Sequence, residues 1–180
     1  MINDYTVVLD ADVLVGSFRR HLLLNLARGG LFRPVWSETI LQEVVATLER
    51  DNGDGQRVRR QLEQMFPGAA ADESYIHLVR KIQLADENDR HIVAAALAEN
   101  ADAICTLNAR DFGWSAVEVV SPDKLIADTC DIAMPQAVNA LAEMRRQMTS
   151  VHDGEGFVDR MKSQGLIETE RLFRPLVDRL

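Results

Sequence analysis

The sequence predicts an α/β fold in which a parallel sheet is covered on both faces by helices, with a helical extension at the C-terminal end. Two observations carry that expectation. Short apolar runs over 6–10, 103–107 and 117–120 lack the strict polar alternation of a half-exposed strand, and segments of helical period separate the first from the second. Strand signals then stop at Ser121-Pro122, and only helical pieces follow.

Taken in order, Thr6-Val7-Val8-Leu9-Asp10 reads as a strand ending in an acid, followed by a loop and a helix over 16–28 that Gly29-Gly30 closes. Residues 33–36 suit a short strand, and Ser37 is placed to cap a helix reaching residue 50. Asp51-Asn52-Gly53-Asp54-Gly55 breaks the chain. A charged helix over 56–65 ends at Pro67-Gly68, and another is expected over 72–81. Asp86-Glu87-Asn88-Asp89 opens a strongly helical segment over 90–100, ahead of the buried strands at 103–107 and 117–120. Helices are then expected over 123–129, 135–148 and 157–180, the last broken near Gly165, with Gly154 and Gly156 making 150–156 a hinge.

A chain of 180 residues can bury one sizeable core, so one domain with a short appendage is expected: residues 1–122, then a helical extension over 123–180. Hydrophobic residues at 47% and charged residues at 27% exclude a disordered or fibrous chain. The two cysteines, Cys105 and Cys130, show neither a CxxC nor a Cys/His zinc spacing, and Cys105 falls inside an apolar strand run. MINDYTVVLD has no basic segment followed by a long apolar stretch, and no apolar run is long enough to span a bilayer; a cytoplasmic protein without membrane contact is expected.

Twenty Lys and Arg stand against 28 Asp and Glu, a formal net charge of −8. That field repels polyanions and argues against a nonspecific nucleic-acid coat protein. A nuclease stays possible, because clustered carboxylates attract anions once they hold divalent cations. Basic residues group as Arg19-Arg20-His21, as Arg57 with Arg59-Arg60, and as Arg145-Arg146; each can be a solvated helix face, and the first can also be a phosphate-contacting rim.

In open α/β sheets functional groups collect beyond the carboxyl ends of the strands, which favours Asp10 and Asp12. Their spacing can aim both carboxylates into one crevice, where they need a cation, a shared proton or solvent; a helix-capping Asp and a turn Asp are the alternative. Asp89 shares a helical face with Ile92, Val93, Ala96 and Leu97, so its carboxylate points inward and calls for a partner. Its alternative is an acid in the first helical turn behind an Asp86 cap. Glu43 lies off the apolar stripe of Ile40, Leu41, Val44, Val45 and Leu48, and pattern alone makes it a solvated residue. Thr106, Asn108 and Asp111 directly follow the second buried strand and can approach the same crevice; an Asx-turn or a cap is the modest alternative for Asn108 and Asp111.

These residues fall in three segments, VVLDADVLV, SETILQEVVATL and ADENDRHIVAAALAENADAICTLNARDF, which resemble the PIN-domain nucleases. The likeness is strongest to the VapC-type toxins of toxin-antitoxin pairs and to relatives with a DRH-V-AAA segment, and it covers about residues 5 to 120. It implies a doubly wound α/β fold with a parallel sheet and an acidic pocket that binds Mg²⁺ or Mn²⁺. By position Asp10 matches the first invariant acid, Glu43 the helical Glu and Asp89 the third acid, while Asp111 with Asn108 occupies the fourth location. Asp12 stands where Asn is commoner and adds charge to the pocket; Asn108 stands where many relatives carry Asp, which leaves one or two metal ions open.

The resemblance therefore implies a metal-dependent endoribonuclease with Asp10, Glu43, Asp89 and Asp111 as catalytic acids and Asp12 and Asp86 as auxiliary metal ligands. Arg90, Asn108, Thr106 and Arg19 are candidate substrate contacts, and His91 is a further candidate phosphate contact that is more often a packing or helix-surface residue. In-line hydrolysis would leave a 5′-phosphate and a 3′-hydroxyl. The toxin likeness further implies an antitoxin that places a basic side chain or helix in the acidic pocket. Leu141, Ala142 and Met144 beside Arg145-Arg146 offer a dimer or antitoxin surface, or pack back on the core. Two rivals remain: a haloacid dehalogenase-like phosphatase, suggested by Val8-Leu9-Asp10-Ala11-Asp12, and a PIN-fold binding protein that has lost catalysis.

Overall fold

The computed structural model describes residues 4–84, 86–113 and 115–180; Ala85, which opens the third resembling segment, and the first three residues of the N-terminal stretch lie outside them. In chain order the elements are β1 (Thr6–Leu9), α1 (Ala11–Val15), α2 (Ser17–Arg28), β2 (Arg33–Val35), α3 (Glu38–Arg50), α4 (Gly55–Met65), α5 (Ile76–Val79) and α6 (Arg90–Ala98). There follow β3 (Ala103–Cys105), β4 (Glu118–Val120), α7 (Pro122–Ile132), α8 (Met134–Arg146), α9 (Gly154–Ser163) and α10 (Ile167–Phe173). They group into two compact units. One is built from Tyr5–Gly16 and Arg33–Ser121; the other joins Ser17–Phe32 to Pro122–Leu180, so α2 groups with the C-terminal helices.

The first unit holds a four-stranded sheet in the order β2-β1-β3-β4, parallel throughout. Val8 is paired with Val35 on one side and Ile104 on the other, and Ile104 in turn with Val119. Every residue of β1 and β3 is buried, as unbroken apolar runs require when helices flank the sheet. Ser37 caps α3 by accepting from Ile40 N at 3.2 Å, and Ile40, Leu41, Val44 and Val45 are the buried face of that helix. In α6 every residue from His91 to Ala96 is buried, whereas Leu97, expected on the inward stripe, is 38% exposed. The small side chains of Ala94, Ala95 and Ala96 let neighbours close on all sides, so this helix has no polar face until its C-terminal end.

Two further local expectations fail in this unit. Residues 11–15, read as loop, form α1, because Asp10 caps it and Val13 and Leu14 are buried. The helix expected over 72–81 is a 3₁₀ turn, Glu73–Tyr75, running into the four-residue α5, where no residue is buried. Leu78 and Val79 are only partly buried where they pack against Tyr75, Ala94 and Ala95, and so short a segment has little to propagate it.

In the second unit α2 packs on α8, and α10 on both α7 and α9. Phe18 meets Phe157 edge-to-face, with centroids 5.8 Å apart. Asp123, in the first turn of α7, accepts from Glu168 N (2.8 Å), Thr169 N (2.9 Å) and Thr169 Oγ1 (2.8 Å), and so caps the start of α10 across a long sequence separation. The hinge expected over 150–156 is instead largely a helix start: Asp153 accepts from Gly156 N at 2.8 Å, and Gly154 is the first residue of α9. Leu141, Ala142 and Met144 are buried within the molecule, which is the packing reading and removes them as a free partner surface. No helix among the described residues is long and apolar enough to cross a membrane.

Candidate active site

With β1 flanked by β2 on one side and β3 on the other, the chain leaves β1 toward one edge and later returns to the other. The carboxyl ends of β1 and β3 therefore border a switch point, where a parallel sheet opens a crevice. Asp10 follows β1 and Thr106 follows β3.

Asp10 is 7% exposed, and its carboxylate accepts from Ala11 N at 2.6 Å and from the Thr106 hydroxyl at 2.8 Å. Neither donor is charged. Burial first, then the charge of Asp12 and in smaller part that of Glu43, push the Asp10 carboxyl up to about 6, against the two hydrogen bonds that lower it. The capping role offered as an alternative for Asp10 is thus real, but it does not neutralise the carboxylate.

Thr106 is fully buried, so it is not the substrate contact expected at the lip of the crevice. Its hydroxyl donates to Asp10, accepts from Asn108 N at 3.0 Å, and lies 3.3 Å from Asp12 Oδ2. Both capacities of the hydroxyl serve to fix the strand-end loop and aim Asp10. Asp12 is held on the same loop, accepting from Leu107 N at 3.0 Å. Two carboxylates are thereby tied to the end of β3.

Asp89 takes the N-cap position of α6 without any side-chain capping bond. Its carboxyl is raised above its ordinary range by burial, then by the charges of Asp10, Asp86 and Asp111. Asp86 instead closes a local turn, accepting from Asn88 N at 2.9 Å, so the box of Asp86 cap and Asp89 first-turn acid does not form. Asp111 sits on an exposed 3₁₀ turn, Ala109–Phe112, near enough for its charge to be felt at Asp89. Glu43 reaches the group from α3: its charge bears on Asp10, and its Oε1 lies 3.0 Å from His91 Nε2.

Six acids from five parts of the chain thus act on one another electrostatically. Among the candidate substrate contacts, Arg90 is paired with Glu87 at 2.8 Å and Asn108 is exposed. Arg19 belongs to α2, in the other compact unit.

Among the described residues, no three or more His, Cys, Asp and Glu side chains already form a metal-holding group. The donor chemistry nonetheless suits a hard divalent cation: all six acids offer oxygen, and Asp10 and Asp89 carry buried or partly buried charge that no cationic side chain offsets strongly. His91 is 8% exposed, in keeping with the packing alternative offered for it, but its partnership with Glu43 was not foreseen from sequence. Its signal was present: a helix apolar all round buries its first turn too, and a buried imidazole needs a polar partner.

The family model of the PIN domain matches residues 6–110, more than half of the chain. The chain belongs to the PIN-domain family. PIN domains are generally nucleases that use divalent metal ions, and this membership replaces the phosphatase reading of the Asp10-Ala11-Asp12 run. No curated protein and no solved structure matches the chain.

Proposed function

We propose that the protein is a Mg²⁺- or Mn²⁺-dependent endoribonuclease and the toxin of a toxin-antitoxin pair. The observation that carries the nuclease reading is Asp10, a buried strand-end carboxylate raised to about 6 amid the charges of Asp12 and Glu43, with Asp89 coupled to it. Asp10, Asp12, Asp89 and Asp111 would hold the ion, with Asp86 auxiliary. A divalent ion supplies Lewis acidity toward the phosphodiester and its attacking water. Thr106 keeps Asp10 oriented, and Glu43 orients the water or accepts its proton. Arg90 and Asn108 are the candidate phosphate contacts. Hydrolysis leaves a 5′-phosphate and a 3′-hydroxyl.

The decisive experiment is cleavage of single-stranded RNA with Mn²⁺ by the wild type, Asp10→Asn and Asp89→Asn. Activity in the wild type and its loss in both variants is the expected result. A folded wild type that cleaves no RNA under any divalent metal would leave the PIN-fold binding protein as the better reading. The toxin reading rests on the resemblance to VapC-type chains and on the hazard of an unrestrained ribonuclease in the cytoplasm. It predicts a small inhibitor encoded beside this gene that presents a basic side chain to the acidic pocket; a homodimer is compatible with it.

A further inference from the structure

Glu43 has a problem that its own helix does not solve. It lies off the buried stripe of α3, its side chain is 41% exposed, and a carboxylate so placed is free to swing into water. Its charge nevertheless bears on Asp10. What restrains it comes from α6: the Nε2 of His91, 3.0 Å from Glu43 Oε1.

His91 is itself immobilised. It sits two residues after Asp89, on a helix whose residues from His91 to Ala96 are all buried, and only 8% of its surface is exposed. Its Nδ1 is buried without a hydrogen-bond partner among the described residues. A ring with one nitrogen facing a carboxylate and the other facing no donor or acceptor is best satisfied with its proton on Nε2, toward Glu43. The ring therefore points one donor in one direction, from a backbone position fixed beside Asp89.

We infer that His91 is a positioning residue for the reaction: it holds Glu43 at the carboxylate pocket, linking α3 to the Asp89 end of α6. The inference rests on the nuclease reading above. It assigns His91 no contact with substrate and no proton transfer. Glutamine can present an amide donor in place of Nε2–H, whereas leucine fills similar space and presents none.

The test uses the full chain, with Mn²⁺ and a single-stranded oligoribonucleotide, and compares wild type, His91→Leu, His91→Gln, Glu43→Gln and the His91→Leu/Glu43→Gln double variant, all checked for a cooperative thermal transition. His91→Leu is expected to lower kcat by about 10- to 100-fold with KM little changed, as for the loss of a partner that orients a ligand. His91→Gln should recover most of that loss, and the double variant should fall no further than Glu43→Gln. Multiplicative losses in the double variant, a Gln variant as poor as Leu, or full activity in His91→Leu would each overturn the inference. Nitrogen-15 spectra of the imidazole rings, compared between wild type and Glu43→Gln, separate it from the nuclease reading. If the wild type cleaves no RNA, a His91 ring protonated on Nε2 whose signals move in Glu43→Gln keeps the positioning contact. A ring protonated on Nδ1 instead, or signals indifferent to Glu43→Gln, ends it.

Discussion

Asp10 keeps its charge where the fold resists it. An acid whose ordinary value is 3.8 and which stands at about 6 in the folded chain binds its proton more tightly folded than unfolded. Below pH 3.8 it is neutral in both states and costs nothing; the cost grows as pH rises through that window and is complete above 6. At neutral pH it amounts to about 3 kcal/mol, at 1.36 kcal/mol for each pH unit of displacement. Asparagine can keep the cap on Ala11 N with its single amide oxygen, and its amide nitrogen can donate to the Thr106 hydroxyl, whose own proton then turns to Asp12 Oδ2, 3.3 Å away. Asp10→Asn should therefore raise the stability of the metal-free protein by about 1–3 kcal/mol at pH 7.5 while abolishing cleavage. Urea denaturation in EDTA at pH 7.5 and pH 4.5 checks this: the advantage should shrink at the lower pH, and a variant no more stable than wild type at pH 7.5 contradicts the burial account.

At the scale of elements, several helix starts are fixed by short acceptor side chains, as Ser37, Asp54 and Asp153 show, and Asp72 does the same for a 3₁₀ turn. The start of α9 adds a steric condition. A Cβ on Gly154 would overlap the carbonyl of Val177, so the 3₁₀ segment Arg174–Arg179 can lie against α9 only because that side chain is missing. Gly154→Ala is expected to destabilise by about 1–3 kcal/mol, the range of overpacking. Gly68, with nothing within 4 Å of where a Cβ would stand, is the control, and alanine there should be neutral or slightly stabilising. Thermal melts of the two variants test the contrast; a Gly154→Ala melt that matches wild type would mean the segment shifts at no cost.

For the whole molecule, with a net charge of −8, a divalent cation held at the proposed site would also be a source of stability. An ion bound only by the folded chain stabilises by about 1.4 kcal/mol at ten times its Kd. For a chain of this size that corresponds to a rise in Tm of roughly 3–6 °C. Mn²⁺ should produce that rise in the wild type, EDTA should reverse it, and the Asp10→Asn/Asp89→Asn double variant should show none. A Tm that rises equally in the double variant would assign the ion to the general acidic surface.

The sequence by itself determined the class of sheet, because uninterrupted apolar runs at β1 and β3 leave no face for water, and it placed Asp10 beyond a strand end. Resemblance supplied Glu43, which periodicity had put in solvent. Tertiary structure decided what local pattern does not encode. Thr106 is a buried anchor for Asp10 rather than a substrate contact, because Asp10 and Thr106 lie 96 residues apart and meet only through strand pairing. His91 and Glu43 meet because α3 and α6 bring their side chains together, a fact that no spacing along either helix contains. The grouping of α2 with the C-terminal helices and the close seat of Val177 on Gly154 have the same origin. Pattern fixes which face an element buries, and only the packed chain fixes what that face meets.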